Sequence, residues 1–146
     1  MTAEKRPVTS RDLWSLRFVG DPELSASGNE LVWVETWIDA KKNHYESAVY
    51  IARRGEDGSF GAPARLTRKE SQLLAVLQQN PGRCLSRPYL LETVWGYRNG
   101  TKTRTLDVHI QRLRRKLGPE AAGRILTVLR SGYAWLEDST GPRSLQ

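Results

Sequence analysis

Apolar residues follow two different patterns in the two halves of the chain. In the C-terminal half they recur with helical spacing over residues 67–80, 86–95 and 101–117, and this period of about 3.6 residues predicts three helices. Two runs rich in β-branched and aromatic residues, 125–128 and 133–136, follow the third helix and predict a pair of strands. Three helices followed by a hairpin indicate a winged helix-turn-helix.

The ends of these helices carry signals of their own. Thr67 with Glu70 three residues later matches a capping box. Ser86 is a typical N-cap for the second helix, and Gly118-Pro119 stops the third. Cys84 lies between the first two helices, and we expect it to be buried there.

The N-terminal half is typical of a small antiparallel sheet. Ser10 is expected to cap a short helix over residues 11–18. The strands expected after it are 23–25, 31–38, 47–53 and Ala64–Leu66. The predicted fold class is therefore α+β, a small antiparallel β-meander followed by a winged helix-turn-helix. The predicted organisation is a meander segment over 1–65, a winged-helix domain over 66–137 and a flexible tail over 138–146.

The third helix has two chemically different faces. At about 100° per residue, one stripe is formed by Leu106, Ile110, Leu113 and Leu117. The opposite side is formed by Arg104, Val108, Gln111, Arg112 and Arg115. Guanidinium and amide groups donate to base edges and phosphates, and an exposed valine can pack on a thymine methyl. This face favours a DNA major groove, and the alternative is an ordinary solvated basic face.

The two halves of the chain also differ in net charge. The chain of 146 residues has a formal charge of +7, with a net charge of −2 over residues 1–64 and +9 over residues 65–146. The basic half therefore predicts a polyanionic partner. No apolar run is long enough to cross a membrane and no signal peptide is present, so we expect no membrane partner and a cytoplasmic, nucleoid-associated protein. Cys84 is the only cysteine, which excludes a disulfide within the chain, and no cofactor or metal is expected.

Residues 66–137 resemble the C-terminal DNA-binding domain of OmpR/PhoB-type response regulators. The shared motifs, in order, are LTxxE, NPGR, SRxxLLExVWG, RTxDVHIxRLRRKL and a TVxxxGY wing. The resemblance implies a transcription regulator that binds double-stranded DNA through the third helix. The DNA-binding residues it implies, together with the basic face, are Arg104, Thr105, Val108, Gln111, Arg112, Arg115, Lys116 and Arg130. The loop residues it implies for contact with RNA polymerase are Tyr97, Arg98, Asn99 and Lys102.

The wing departs from the family pattern. Leu129-Arg130-Ser131-Gly132 stands where Arg-Gly-x-Gly is usual. Arg130 therefore occupies a glycine position, and it carries strain if its φ is positive. It also supplies the cation, one residue along, that the family places in the minor groove.

The N-terminal half resembles a different family. VTSRDLWSLRFVGDPELSASGNELVWVETWID and the closing PARLT are similar to the entry into the first propeller blade of prolyl-oligopeptidase and acylaminoacyl-peptidase proteins. We expect a chimera joined at Leu66-Thr67, without a phospho-receiver domain. Whether the meander docks on the winged helix or folds separately is open, as is pairing into a tandem dimer on DNA.

Two other functions compete with a sequence-preferring DNA-binding regulator. The first is a structural fusion protein that keeps only residual, non-specific DNA binding. The second is a hydrolase fragment, which the sequence disfavours because it has no G-x-S-x-G elbow. We therefore expect that the protein is not an enzyme.

Overall fold

The computed structural model describes Pro7, residues 9–25 and residues 27–137. The tail predicted over residues 138–146 lies outside the described residues. The chain divides into two compact units at residues 65 and 66.

The first unit is a four-stranded sheet preceded by a 3-10 helix, Ser10–Ser15. In the order in which they neighbour each other, the strands are β1 (Phe18–Leu24), β2 (Glu30–Asp39), β3 (His44–Arg53) and β4 (Ala64–Leu66). Strands β1 and β3 each pair antiparallel with β2. The predicted antiparallel meander is confirmed.

Two boundaries in this unit differ from the prediction. The helix expected over residues 11–18 is a 3-10 helix that ends at Ser15. Strand β1 begins at Phe18, not near residue 23, because Phe18 pairs with Thr36 and Val19 pairs with Glu35 in the neighbouring strand. Cross-strand pairing of an aromatic and a β-branched residue thus prevails over the local helical pattern.

Strands β2 and β3 form a long hairpin that is paired from Glu30 and Arg53 to Asp39 and His44. The Asp39 carboxylate accepts hydrogen bonds from the backbone N–H groups of Lys41 and Lys42 at 2.9 and 3.0 Å, which closes the turn. The strand predicted over 47–53 is therefore three residues longer at its start.

The second unit is the predicted winged helix. Its helices are α1 (Arg68–Gln78), α2 (Arg87–Trp95) and α3 (Thr105–Gly123). Its sheet has the order β5-β7-β6, with strands β5 (Leu85–Ser86), β6 (Ile125–Val128) and β7 (Gly132–Trp135). The two-residue strand β5 was not predicted, because its pairing partner, β7, lies almost 50 residues further along the chain.

Helix α3 is interrupted where the sequence predicts its end. Gly118 has φ 83° and ψ 174°, outside the helical region, and Pro119 has no backbone N–H to continue the hydrogen-bond ladder. Residues 105–117 therefore form the helix proper, and residues 119–123 add a separate turn.

The core of this unit is built from the predicted leucine stripe. Its most deeply buried apolar side chains are Leu73, Leu77, Leu90, Leu106, Ile110 and Leu113. Each leucine fully removed from water contributes about 1.5–3 kcal/mol to folding. Burial of this stripe fixes which side of α3 remains at the surface.

Candidate nucleic-acid interface

The exposed face of α3 carries the side chains that the sequence selects for base contact. Val108 is 40% exposed, although Leu106 and Ile110 on the same helix are completely buried. Its neighbours on this face, Gln111 and Arg112, are also exposed. An exposed valine among polar side chains is not explained by packing in its own unit.

The start of α3 is fixed by threonines and a histidine. The backbone N–H of Thr105 donates to Thr103 Oγ1 at 3.1 Å, and the two hydroxyl oxygens lie 2.7 Å apart. His109 Nδ1 lies 2.8 Å from the Thr105 carbonyl oxygen, and its ring meets the edge of Trp95 with centroids 4.9 Å apart. Thr105 is half-buried, so it presents less surface than Arg104, which is exposed.

Lys116 forms an ion pair with Glu70 that the sequence analysis did not predict. Its ammonium lies 2.7 Å from Oε2 of Glu70, whose side chain is only 1% exposed. Burial raises the pKa of Glu70, but hydrogen bonds from Lys116 and from the Thr67 backbone outweigh burial and hold that pKa below its ordinary value. Its charge neutralises a buried carboxylate and joins α3 to α1, and contact of Lys116 with DNA stays a prediction.

Asp107 is a residue of the candidate interface whose contacts the sequence did not predict. Its carboxylate accepts two hydrogen bonds from Arg87, at 2.7 and 2.5 Å, and one from the Tyr133 hydroxyl at 2.6 Å. These contacts connect α3 to the first turn of α2 and to strand β7. The available signal was an acidic residue on an otherwise basic face, directly before Val108. Asp107 is a positioning residue that sets the orientation of α3.

The Asp107 contacts predict a stability change in acid. Its hydrogen bonds from Arg87 lower the pKa of Asp107 from 3.8 to about 2. Because the folded-state pKa lies below the unfolded value, the stabilisation is present above pH 3.8 and is lost as the pH falls towards 2. Asp107 is 41% exposed, so solvent screening leaves a contribution of about 1 kcal/mol.

We expect Asp107→Asn to lower the free energy of unfolding by about 1 kcal/mol at neutral pH. Urea unfolding at several pH values measures this, and the difference from the parent protein should shrink as the pH falls from 3.8 towards 2, where Asp107 becomes half protonated in the folded protein. Glu92→Gln, a change at an exposed carboxylate on α2, is the control. A difference that persists at low pH would contradict the ion-pair explanation.

The wing is attached to α3 by Arg114, which was also missed. Its guanidinium donates to the Ile125 carbonyl oxygen at 2.5 Å and to Thr127 Oγ1 at 2.9 Å. It also lies over the Tyr133 ring, 5.9 Å from the centroid. Arg114 therefore positions the hairpin, while its neighbour Arg115 is exposed.

The wing tip places Arg130 in a strained conformation. Arg130 has φ 60°, and the turn is closed by the Ser131 N–H, which donates to the Val128 carbonyl oxygen at 3.0 Å. A positive φ at the third turn position is the place where a type II turn usually has glycine. Leu129 beside it is 82% exposed, so the tip projects an apolar and a cationic side chain together.

We expect Arg130→Gly to keep or raise the free energy of unfolding, by up to about 1 kcal/mol, because glycine adopts positive φ without strain. If Arg130 contacts DNA as the sequence predicts, loss of this cation should also lower DNA affinity. Arg130→Lys is the matched control, which should keep both the strain and the affinity. Thermal unfolding and duplex titration measure the two properties, and a destabilised glycine variant would contradict the strain.

The four residues predicted to contact polymerase, in the loop between α2 and α3, differ in their exposure to solvent. Tyr97 is half-buried, and its backbone N–H donates to the Leu91 carbonyl oxygen at 3.3 Å. The other three residues, Arg98, Asn99 and Lys102, are exposed. Arg98 also anchors a turn, because its carbonyl oxygen accepts from the Thr101 hydroxyl at 2.7 Å. The exposed part of the loop is therefore 98–102.

Three other sequence expectations concern membranes, metals and Cys84. In residues 9–25 and 27–137, no helix is long and apolar enough to cross a membrane. The same described residues contain no group of three or more histidine, cysteine, aspartate or glutamate side chains suited to a metal ion.

Cys84 is exposed, not buried, because it precedes the short strand β5 at the surface.

Comparison with known proteins gives a consistent result for the C-terminal half. Residues 61–135 match the family model described as "Transcriptional regulatory protein, C terminal". The chain is 51% identical over 73 residues to the uncharacterized transcriptional regulatory protein YclJ of Bacillus subtilis, covering 50% of this chain and 32% of that protein. It is 42% identical over 85 residues to the DNA-binding response regulator MtrA of Mycolicibacterium smegmatis, covering 57% of this chain and 35% of that protein.

Two solved structures are also similar to this chain. The DNA-binding domain of Bacillus subtilis CssR is 29% identical, with a TM-score of 0.45, and the match covers 69% of this chain and 99% of that one. The DNA-binding domain of Klebsiella pneumoniae RstA, in complex with the RstA box, is 28% identical with a TM-score of 0.46, covering 69% and 90% of the two chains.

The family match and the structure describe the same part of the molecule. The chain spans about a third of the length of the two curated relatives. The family model covers just over half of this chain and includes all three helices and the wing. The chain therefore belongs to the family of C-terminal domains of transcriptional regulatory proteins.

Proposed function

We propose that this protein binds double-stranded DNA with sequence preference, as a transcription regulator that is not an enzyme. Helix α3 lies in the major groove, with Val108, Gln111 and Arg112 at base edges. The observation that carries the proposal is the exposure of Val108 in a row of amide and guanidinium groups, opposite a completely buried stripe. The printed name of MtrA, a DNA-binding response regulator, supports it.

The remaining cations act on the DNA backbone. Arg104 at the start of α3 and Arg115 near its end contact phosphates, together with the hydroxyl of Thr105. Arg130 at the wing tip supplies a cation to the adjacent minor groove. Phosphate contacts give affinity that falls steeply with salt, and base contacts give sequence preference.

A selection from randomised duplexes at near-physiological salt tests the proposal. The enriched duplex is then titrated against a scrambled duplex of the same length. Much tighter binding of the enriched duplex supports sequence-preferring recognition. Equal binding of both, lost on addition of salt, would instead support the alternative of a fusion protein with only residual, non-specific binding, which the comparisons do not favour.

The division of roles within α3 has its own prediction. Arg112→Ala should weaken binding to the enriched duplex by about 1–3 kcal/mol and leave scrambled DNA almost unaffected. Arg104→Ala should weaken both duplexes similarly, because a phosphate contact carries no sequence information. Fluorescence anisotropy on both duplexes measures the difference. Equal losses for the two variants on both duplexes would refute the division.

Several wider assignments accompany this function as proposals. The domain boundaries are 1–65 and 66–137, and RNA polymerase is a second partner. The protein acts in the cytoplasm, at the nucleoid, and pairs in tandem on DNA. The peptidase-like origin of residues 1–65 rests on the sequence motifs alone and stays a prediction.

A further inference from the structure

A cavity of about 630 Å³ lies beneath the loop that joins α2 to α3. We call it the loop cavity, and the residues of its wall that matter here are Arg87, Pro88, Leu91, Arg98, Lys102 and Arg104. Pro88 and Leu91 supply an apolar part of the wall. The loop supplies Arg98 and Lys102, and the position before α3 supplies Arg104.

The loop cavity has a strong excess of positive charge. Four of its wall residues are cationic, and none is acidic. The guanidinium of Arg87 is held by Asp107. In the described part of the chain, Arg98, Lys102 and Arg104 take part in no ion pair, and all three are exposed. The Asp107 carboxylate, which Arg87 already engages, also interacts electrostatically with Arg104. The remaining excess of positive charge favours an anion between these side chains.

The backbone adds to this potential. Arg104 is the N-cap of α3 and makes no side-chain capping hydrogen bond. The positive end of the helix dipole lies at Thr103 and Arg104, which both line the loop cavity. This dipole contribution is fixed by the backbone and does not depend on the conformation of a side chain.

We propose that the loop cavity binds a phosphodiester group of the DNA backbone that flanks the sequence read by α3. The inference rests on the proposed function, because Arg104 both lines the loop cavity and begins the exposed face of α3. A duplex seated on that face must carry a backbone past Arg104, since the major groove is only about 12 Å wide. Arg98 and Lys102 are then DNA ligands, which extends the interface from the helix to the loop.

The test compares two double variants of the full chain. Arg98→Ala with Lys102→Ala removes two cations from the loop cavity. Lys41→Ala with Arg68→Ala removes two exposed cations outside the loop cavity and outside α3. Circular dichroism first checks that both variants are folded. Binding to the enriched and the scrambled duplex is then measured over a range of salt concentrations.

We expect the loop-cavity variant to lose about tenfold in affinity on both duplexes. The slope of log affinity against log salt concentration changes by about 0.9 for each phosphate contact. Loss of one or two contacts should therefore make the slope of this variant shallower by about one to two. Phosphate-ethylation interference should identify phosphates whose ethylation blocks DNA binding by the parent protein and does not affect DNA binding by this variant. An unchanged slope, or an equal effect of the control variant, would overturn the proposal.

The other possible occupants are distinguished by two further measurements. Tripolyphosphate is titrated without DNA, and transcription is measured with purified polymerase on the enriched site. Normal DNA binding by the loop-cavity variant with lost tripolyphosphate binding would assign the site to a free anion and overturn the DNA assignment. Normal DNA binding with lost transcription would assign it to polymerase. If the parent protein binds no duplex, the proposed function itself fails.

Discussion

Gly132→Ala is expected to lower the free energy of unfolding by at least about 3 kcal/mol, the range of severe core disruptions. A Cβ on Gly132 would lie 1.9 Å from the carbonyl oxygen of Leu85 and 3.1 Å from the Cα of Ser86. Both contacts are with backbone, so no side-chain rotation relieves them. The pairing of β5 with β7 must therefore break, and this pairing also holds Tyr133 in the core.

Gly123→Ala is the matched control, because a Cβ at Gly123 has no neighbour within 4 Å. Chemical unfolding of the two variants should show a large loss for Gly132→Ala and almost none for Gly123→Ala. DNA binding by the Gly132 variant should fall together with the folded fraction. A fully stable Gly132→Ala would show that β5 does not pass as close to β7 as the structure describes.

Lys116→Met is expected to cost about 3 kcal/mol of unfolding free energy, at the low end for a broken buried ion pair. The low end applies because Lys116 is itself 29% exposed. The loss arises because the buried Glu70 carboxylate keeps its desolvation cost and loses the ammonium that offsets it. Glu70 also accepts the Thr67 N–H at 2.8 Å, so it cannot turn away without opening the capping box of α1.

The double variant Glu70→Gln with Lys116→Met separates charge from packing. Glutamine retains the capping role and leaves no buried charge, so the double variant should recover most of the loss. In the parent protein, this stabilisation is present above the ordinary pKa of Glu70, 4.5, and is lost as the pH falls through its lowered value. The penalty of Lys116→Met should shrink in acid for the same reason. Equal instability of the single and double variants would contradict the argument.

Sequence alone predicted those features of the fold that depend on neighbours in the chain. The leucine stripe of α3, the capping box at Thr67 and the stop at Gly118 each depend on residues within about three helical turns of one another. Strand β5 and the early start of β1 at Phe18 depend on partners far along the chain, and local patterns do not contain them. The same distinction explains why the wing hairpin, which is local, was predicted correctly.

In the candidate site too, features set by nearby residues could be predicted and those set by distant residues could not. The exposed face around Val108 could be predicted, since helical spacing determines which side chains lie opposite a buried stripe. The ion pair of Lys116 with Glu70 could not be predicted. Lys116 lies about 60° from Leu113 on the helix, at the flank of the stripe, where a lysine can reach inward or outward. The burial of Glu70 decides the direction, and that depends on how α1 packs against α3. Asp107 was missed for the same reason, because its partners, Arg87 and Tyr133, belong to other elements.

Helix α3 is fastened near both ends, by Asp107 to α2 and β7 and by Lys116 to α1. A helix held in this way loses little conformational freedom when it enters the groove, so association is close to docking of a rigid body. In the proposed complex, the helix has little freedom to rotate towards a mismatched site, so deformation of the DNA is the expected adjustment. Discrimination between sites should consequently appear mainly in how long each complex survives, not in how fast it forms.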